Sequence, residues 1–195
     1  MFGELIATEG VEEVYWPGGP VGVMAIHGGL EEGTAPMAEV VAEATTASLY
    51  SVVQPPSLWW HVPSIRYDPA ESQVLASFIG SVRTAISLHG YGEPGFETVA
   101  LLGGNNRTLA AGLHVALAAR GIESLVDLDS IPRRLRGVHR RNPVNLPPDA
   151  GVQVELPMAL REGRRYRLVA DAIASVIASE AKPRADGGWL GSAPA

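Results

Sequence analysis

Hydrophobic positions along this chain fall into short continuous runs, separated by longer stretches in which they recur every three or four residues. The runs predict buried strands and the longer stretches predict helices with one apolar face. Val21-Gly-Val-Met-Ala-Ile26 reads as a strand leading into His27. From Thr34, Ala-Pro-Met-Ala-Glu-Val-Val-Ala-Glu-Ala reads as a helix. Thr34 suits its N-cap, Pro36 its first turn, and Met37, Val40, Val41 and Ala44 its buried face. Further strands are expected over 48–53, 84–88, 98–102 and 151–156. Helices are expected over 69–81, over 108–120 with Gly121 as the stop, and over 165–179. Alternation of this kind predicts an α/β fold, three-layered α/β/α, around a central twisted, mostly parallel sheet. Residues 1–181 read as one domain. Residues 182–195, rich in Gly, Pro and Ala, read as a flexible tail.

Composition narrows the function classes. With 46% hydrophobic and 18% charged residues, the chain is a globular protein and not a disordered one. Its formal net charge of -6 argues against a nucleic-acid partner. Arg residues nevertheless cluster over 133–141 and 161–167, as a cationic patch or as solvated surface. The absence of cysteine rules out disulfides, thiolate metal sites and cysteine nucleophiles, so any metal must be held by His and carboxylates. No signal peptide and no bilayer-spanning apolar run is visible, and the expectation is a cytoplasmic protein without a membrane partner.

Candidate chemistry gathers where predicted strands end, the edge at which open α/β sheets bind ligands. His27-Gly28-Gly29-Leu30-Glu31-Glu32-Gly33-Thr34 places an imidazole, two glycines and two carboxylates in one turn. Imidazole nitrogen and carboxylate oxygen are both zinc ligands, and the glycines let the turn fold a carboxylate back towards His27. The alternative is a glycine turn whose Glu residues favour the start of the next helix. His89, in Ser87-Leu-His-Gly-Tyr91, ends another strand and is the natural third ligand, leaving one position open for water. In Gly151-Val-Gln-Val-Glu-Leu156 the alternation puts Gln153 and Glu155 together on one face. Glu155 then reads as a general base, or as the partner of a nearby Arg.

These segments resemble the poly-γ-glutamate hydrolase family, a phage-related group similar in fold to the zinc carboxypeptidases. The resemblance is carried by Ala25-Ile-His-Gly-Gly-Leu-Glu-Glu-Gly-Thr34, His61-Val-Pro-Ser64, Tyr67-Asp-Pro69, Ser87-Leu-His-Gly-Tyr91, Leu102-Gly-Gly104, Asn142-Pro-Val-Asn145, and Gly151-Val-Gln-Val-Glu-Leu156 followed by Arg161. It spans roughly residues 20 to 180. It implies a zinc ion (Zn2+) held by His27, Glu31 and His89, with Glu155 as the base, and a zinc-dependent amide hydrolase acting on γ-glutamyl linkages or another acidic substrate, small or polymeric. Aligned from Gly33-Thr34 the carboxylate ligand is Glu31; counted from His27 it is Glu32. Glu31 is preferred because the helix start anchors the loop. Zinc carboxypeptidases hold the substrate carboxylate with Arg and Asn. Arg107, Arg141, Asn142 and Asn145 are the candidates here, with loop solvation and turn formation as the alternative. A different small amide, or metal binding without catalysis, are the rival readings. His61 reads as structural, Trp59 and Trp60 as packing or cleft wall, and His114 and His139 as incidental.

Overall fold

A computed structural model of the chain describes residues 1–180. Its elements are α1 (Phe2–Ile6), β1 (Glu12–Trp16), β2 (Gly19–Gly28), α2 (Thr34–Thr45), β3 (Ala47–Val53), α3 (Gln73–Ser81), β4 (Thr84–Tyr91), β5 (Ala100–Leu102), α4 (Arg107–Ala118), β6 (Ser124–Leu125), β7 (Gly151–Pro157), α5 (Met158–Arg161) and α6 (Gly163–Glu180). The tail expected over 182–195 lies outside the described residues.

The seven strands form one mixed sheet in the order β1-β3-β2-β4-β7-β5-β6. Four neighbouring pairs are parallel, whereas β1 runs antiparallel to β3 and β5 antiparallel to β7. Side-chain alternation sorts the strands into two cores. Val23, Leu49, Ile86 and Val154 face one core, closed by α2, α4 and α6. Met24, Ile26, Tyr50 and Val52 face the other, closed by α1, α3 and the segment bearing Val62 and Tyr67. The fold class is as expected: helices cover both faces of a largely parallel sheet.

Several local expectations are corrected. Thr34 is the first residue of α2 and not its cap; Gly33, in the left-handed conformation, holds the cap position. Thr34 Oγ1 instead donates to the Glu31 carbonyl at 2.7 Å. The buried face of α2 is Ala35, Met37, Ala38, Val41 and Ala42, with Val40 and Ala44 exposed. That face is shifted because the helix packs on the sheet through its alanines. The helix expected over 69–81 breaks at Ser72, whose backbone is extended. A 3-10 turn (Pro69–Glu71) precedes the break, and Ser72 Oγ accepts from Leu75 N at 3.0 Å to start α3. The strand expected over 98–102 is shorter, and α1, β1 and β6 were not expected. Among the described residues, no helix is long and apolar enough to cross a membrane.

Candidate metal centre and cleft

The carboxyl ends of β2, β4 and β7 open into a cleft of about 460 Å³. His27, Glu31, His89, Gln153 and Glu155 all line it. Strict alternation would send His27 to the face of Val23 and Ala25, beneath α2. The pairing of β2 with β3 is irregular between Ala25 and Gly28, and such an irregularity re-aims a side chain. The His27 ring accordingly lies against Tyr67 (5.7 Å between centroids) and His89 (5.0 Å), on the opposite face. Tyr67 Oη donates to the Ile26 carbonyl at 2.7 Å, within the irregular stretch.

The turn after His27 brings Glu31 back over it. Glu31 N donates to the His27 carbonyl at 2.8 Å. Gly29 makes the turn possible: its φ is +78°, and a Cβ there would fall 2.0 Å from the Gln54 carbonyl oxygen. Glu31 Oε1 lies 2.9 Å from His27 Nδ1, and Glu31 Oε2 lies 3.5 Å from His89 Nδ1. Gly90 N donates to Glu31 Oε2 at 2.8 Å. Burial opposes the charge on Glu31. The facing His89 and the close contacts with both imidazoles outweigh it and hold the carboxyl well below its usual range. Burial lowers the pKa of His89, but Glu31 and then Glu155 raise it, and the net shift is upward.

Both imidazoles are anchored by the nitrogen that faces away from this centre. His27 Nε2 is 2.9 Å from the Val62 carbonyl, which can only accept, so Nε2 donates and Nδ1 is the atom turned to Glu31. His89 Nε2 lies 3.0 Å from Ser87 Oγ. Metal-ligating histidines are commonly held in this way. The ligand atoms of His27, Glu31 and His89 lie within 4.8 Å of one another, so these three residues could hold a metal ion. Glu32 is exposed and contributes only its carbonyl, which accepts from Arg161 Nη1.

Glu155 is 4% exposed. It pairs in register with His89 on β4 and with Leu101 on β5. Burial pushes its carboxyl up to about 7. Glu31 adds to the shift, while His89, Gln153 and Arg161 oppose it.

The four residues expected to bind substrate are scattered. Arg107 donates to the carbonyls of Leu102, Gly103, Gly104 and Val126, and it does not line the cleft. Its guanidinium is consumed by main-chain acceptors. Arg141 donates to the Ile65 carbonyl at 3.2 Å and lines a smaller neighbouring hollow. Asn142 is buried and lines the cleft. Asn145 donates to the carbonyls of Gly137 and His139, outside the cleft wall.

Residues with no expected role do reach the cleft. The His61 ring lies 4.6 Å from the His27 ring and tilted to it, and His139, Arg133 and Arg134 stand on the wall. Only the place of His61 inside a family-like segment could have signalled it; an Arg-rich stretch carries no sign of which Arg faces inward. Arg134 pairs with Glu93. Trp59 is exposed and Trp60 packs against the second core. His114 bonds Ser124 Oγ at 2.8 Å, tying α4 to β6.

Comparison with known proteins gives the chain a family and a fold. Residues 11–167 match the poly-gamma-glutamate hydrolase family. A bacteriophage poly-gamma-glutamate hydrolase structure superposes with a TM-score of 0.77 at 24% identity, covering 88% of this chain and 89% of that one. YndL in its zinc-free form superposes at 0.75 with 23% identity, covering 88% and 91%. A putative carboxypeptidase A from Shewanella denitrificans reaches 0.54 at 12% identity, covering 92% of this chain and 66% of that one. No curated protein sequence matches. At these identities the superpositions establish the fold, and it is the sequence match over 11–167 that establishes that this hydrolase belongs to the poly-gamma-glutamate hydrolase family.

Proposed function

We propose that the protein is a zinc-dependent amide hydrolase acting on γ-glutamyl linkages. The observation that carries this reading is the convergence of His27, Glu31 and His89 beside the buried Glu155 in one cleft. Two imidazoles and one carboxylate, with neighbouring space for water, are a donor set suited to catalytic zinc. His27, Glu31 and His89 would hold the ion. When bound, zinc supplies a nucleophilic water near neutral pH and polarises the scissile carbonyl.

The remaining steps belong to the chain. Glu155 accepts a proton from the attacking water and delivers it to the leaving amine nitrogen. Burial, by making its carboxyl more basic than usual, suits it to both transfers. Arg133, which has no carboxylate partner among the described residues, stands on the cleft wall and orients an acidic substrate. The name of the family supports γ-linked glutamate as that substrate.

Treatment with a chelator is expected to abolish hydrolysis of γ-linked glutamate oligomers, and added zinc to restore it. His27→Ala is expected to lose both zinc and activity. Full zinc occupancy and activity in that variant would sink the assignment. Hydrolysis of α-linked peptides or N-acyl amino acids in preference to the γ-linked oligomer would leave the centre intact and change the substrate.

A further inference from the structure

Glu155 shares its face of β7 with a second polar side chain. Gln153, two residues earlier, is 4% exposed and donates from Nε2 to Glu155 Oε1 at 2.7 Å. Gln153 Oε1 in turn accepts from Asn142 Nδ2 at 2.6 Å, in a contact that is fully buried. The main chain orients Asn142. Val144 N donates to Asn142 Oδ1 at 3.3 Å, and Asn142 Nδ2 donates to the Gly137 carbonyl at 3.3 Å. Asn145 Nδ2 donates to the same carbonyl at 2.7 Å.

The polarity of this chain is determined from one end. A backbone N–H can only donate and a backbone carbonyl can only accept. Val144 and Gly137 therefore settle which end of the Asn142 amide is the NH2 group. Asn142 then settles the Gln153 amide, and the group that reaches Glu155 is a donor. An unconstrained amide could turn over and set its oxygen against the carboxylate. The loop also packs closely on Gln153. Gly137 has a φ of +61°, and a Cβ there would fall 2.5 Å from Gln153 Oε1. Among the described residues, no hydrogen bond holds Glu155 Oε2. One carboxylate oxygen is fixed and the other is left for chemistry.

We propose that Gln153 is a positioning residue for Glu155, with its amide orientation imposed by Asn142 from the 137–145 loop. The proposal rests on the reading of Glu155 as the base. A base that meets its proton already oriented needs no reorganisation during the reaction, and small misplacements are costly. The loop that forms part of the cleft wall thereby also sets the geometry of the base.

Gln153→Met keeps the length of the side chain and removes the donor. In the zinc-loaded enzyme acting on a γ-linked glutamate oligomer, kcat is expected to fall roughly 10- to 100-fold. KM and zinc affinity should stay close to the parent values, while the thermal midpoint falls by a few degrees, because Asn142 and Glu155 each lose a buried partner. Asn142→Asp places an acceptor where Gln153 needs a donor, so the Gln153 amide turns over and kcat falls similarly; this variant carries the test if Gln153→Met does not fold. A crystal structure of metal-free Gln153→Met is expected to show the Glu155 carboxyl displaced, with His27, Glu31 and His89 unmoved. Wild-type kcat in Gln153→Met, with Glu155 in place, would overturn the proposal. So would a loss of kcat matched by an equal loss of zinc affinity, which marks a general structural role. Glu155→Gln separates the two levels. If it retains wild-type kcat, the base reading fails and the positioning role fails with it. If it is inactive while Gln153→Met is fully active, the positioning role alone fails.

Discussion

Glu31 and Glu155 are carboxylates in the same cleft with opposite environments. Glu31 faces two imidazoles and accepts a backbone N–H, and these hold it ionised despite burial. Glu155 has one amide donor and deeper burial, so its carboxyl is pushed up to about 7. The contrast is the one that the proposed roles of ligand and base require. Glu31→Gln is expected to weaken zinc binding at least tenfold, whereas Glu32→Gln leaves it unchanged; titration calorimetry reads both, and the reverse ranking would move the ligand to Glu32. Glu155→Gln is expected to lower kcat by about 10²- to 10⁴-fold. The same substitution has a stability signature in the metal-free protein. A carboxyl raised from 4.5 to about 7 on folding leaves the folded state binding more protons across that window, so wild-type stability falls as pH rises through it. Above pH 7, Glu155→Gln removes a penalty of about 3 kcal/mol and is more stable in urea than the parent; below pH ~4.5 the difference vanishes. Histidine and carboxylate types were legible at this scale because zinc chemistry restricts the donors. The roles of Gln153 and His61 were not, since neither an amide nor a lone imidazole declares a partner until the fold supplies one.

At the scale of elements, strand ends do the work. β2, β4 and β7 are buried on both faces, so their apolar runs are continuous in sequence and their carboxyl ends were legible. Elements defined by edge pairing were less so: β1 is half-exposed, β6 has two residues, and neither carries a strong pattern. Arg107 shows the limit of reading a polar residue by type. At the start of α4 it looks like a substrate clamp, yet its guanidinium joins the end of β5 to the chain after β6 through four carbonyls. Arg107→Lys loses the planar fork, strands buried acceptors, and is expected to destabilise the protein by about 1–3 kcal/mol in urea denaturation. KM should be unchanged; a raised KM at unchanged stability would return Arg107 to substrate binding.

For the whole molecule, the centre joins two segments far apart in sequence: His27 at the end of β2 with Glu31 in the turn that follows it, and His89 on β4. An ion bound there would cross-link the folded state alone. Saturating zinc is therefore expected to stabilise the protein by about 4 kcal/mol at a thousandfold excess over Kd, read as a rise in thermal midpoint. His27→Ala should abolish that rise. The sequence by itself determined the α/β class, the buried strands, the donor types available to a metal and the grouping of Gln153 with Glu155, because periodicity and side-chain chemistry are local properties. Tertiary structure decided the rest. The irregularity in β2 turned His27 onto the face of His89, main-chain carbonyls claimed Arg107, and the 137–145 loop set the amide that touches Glu155. Each depends on which backbone groups lie unpaired nearby, and the folded chain alone determines that.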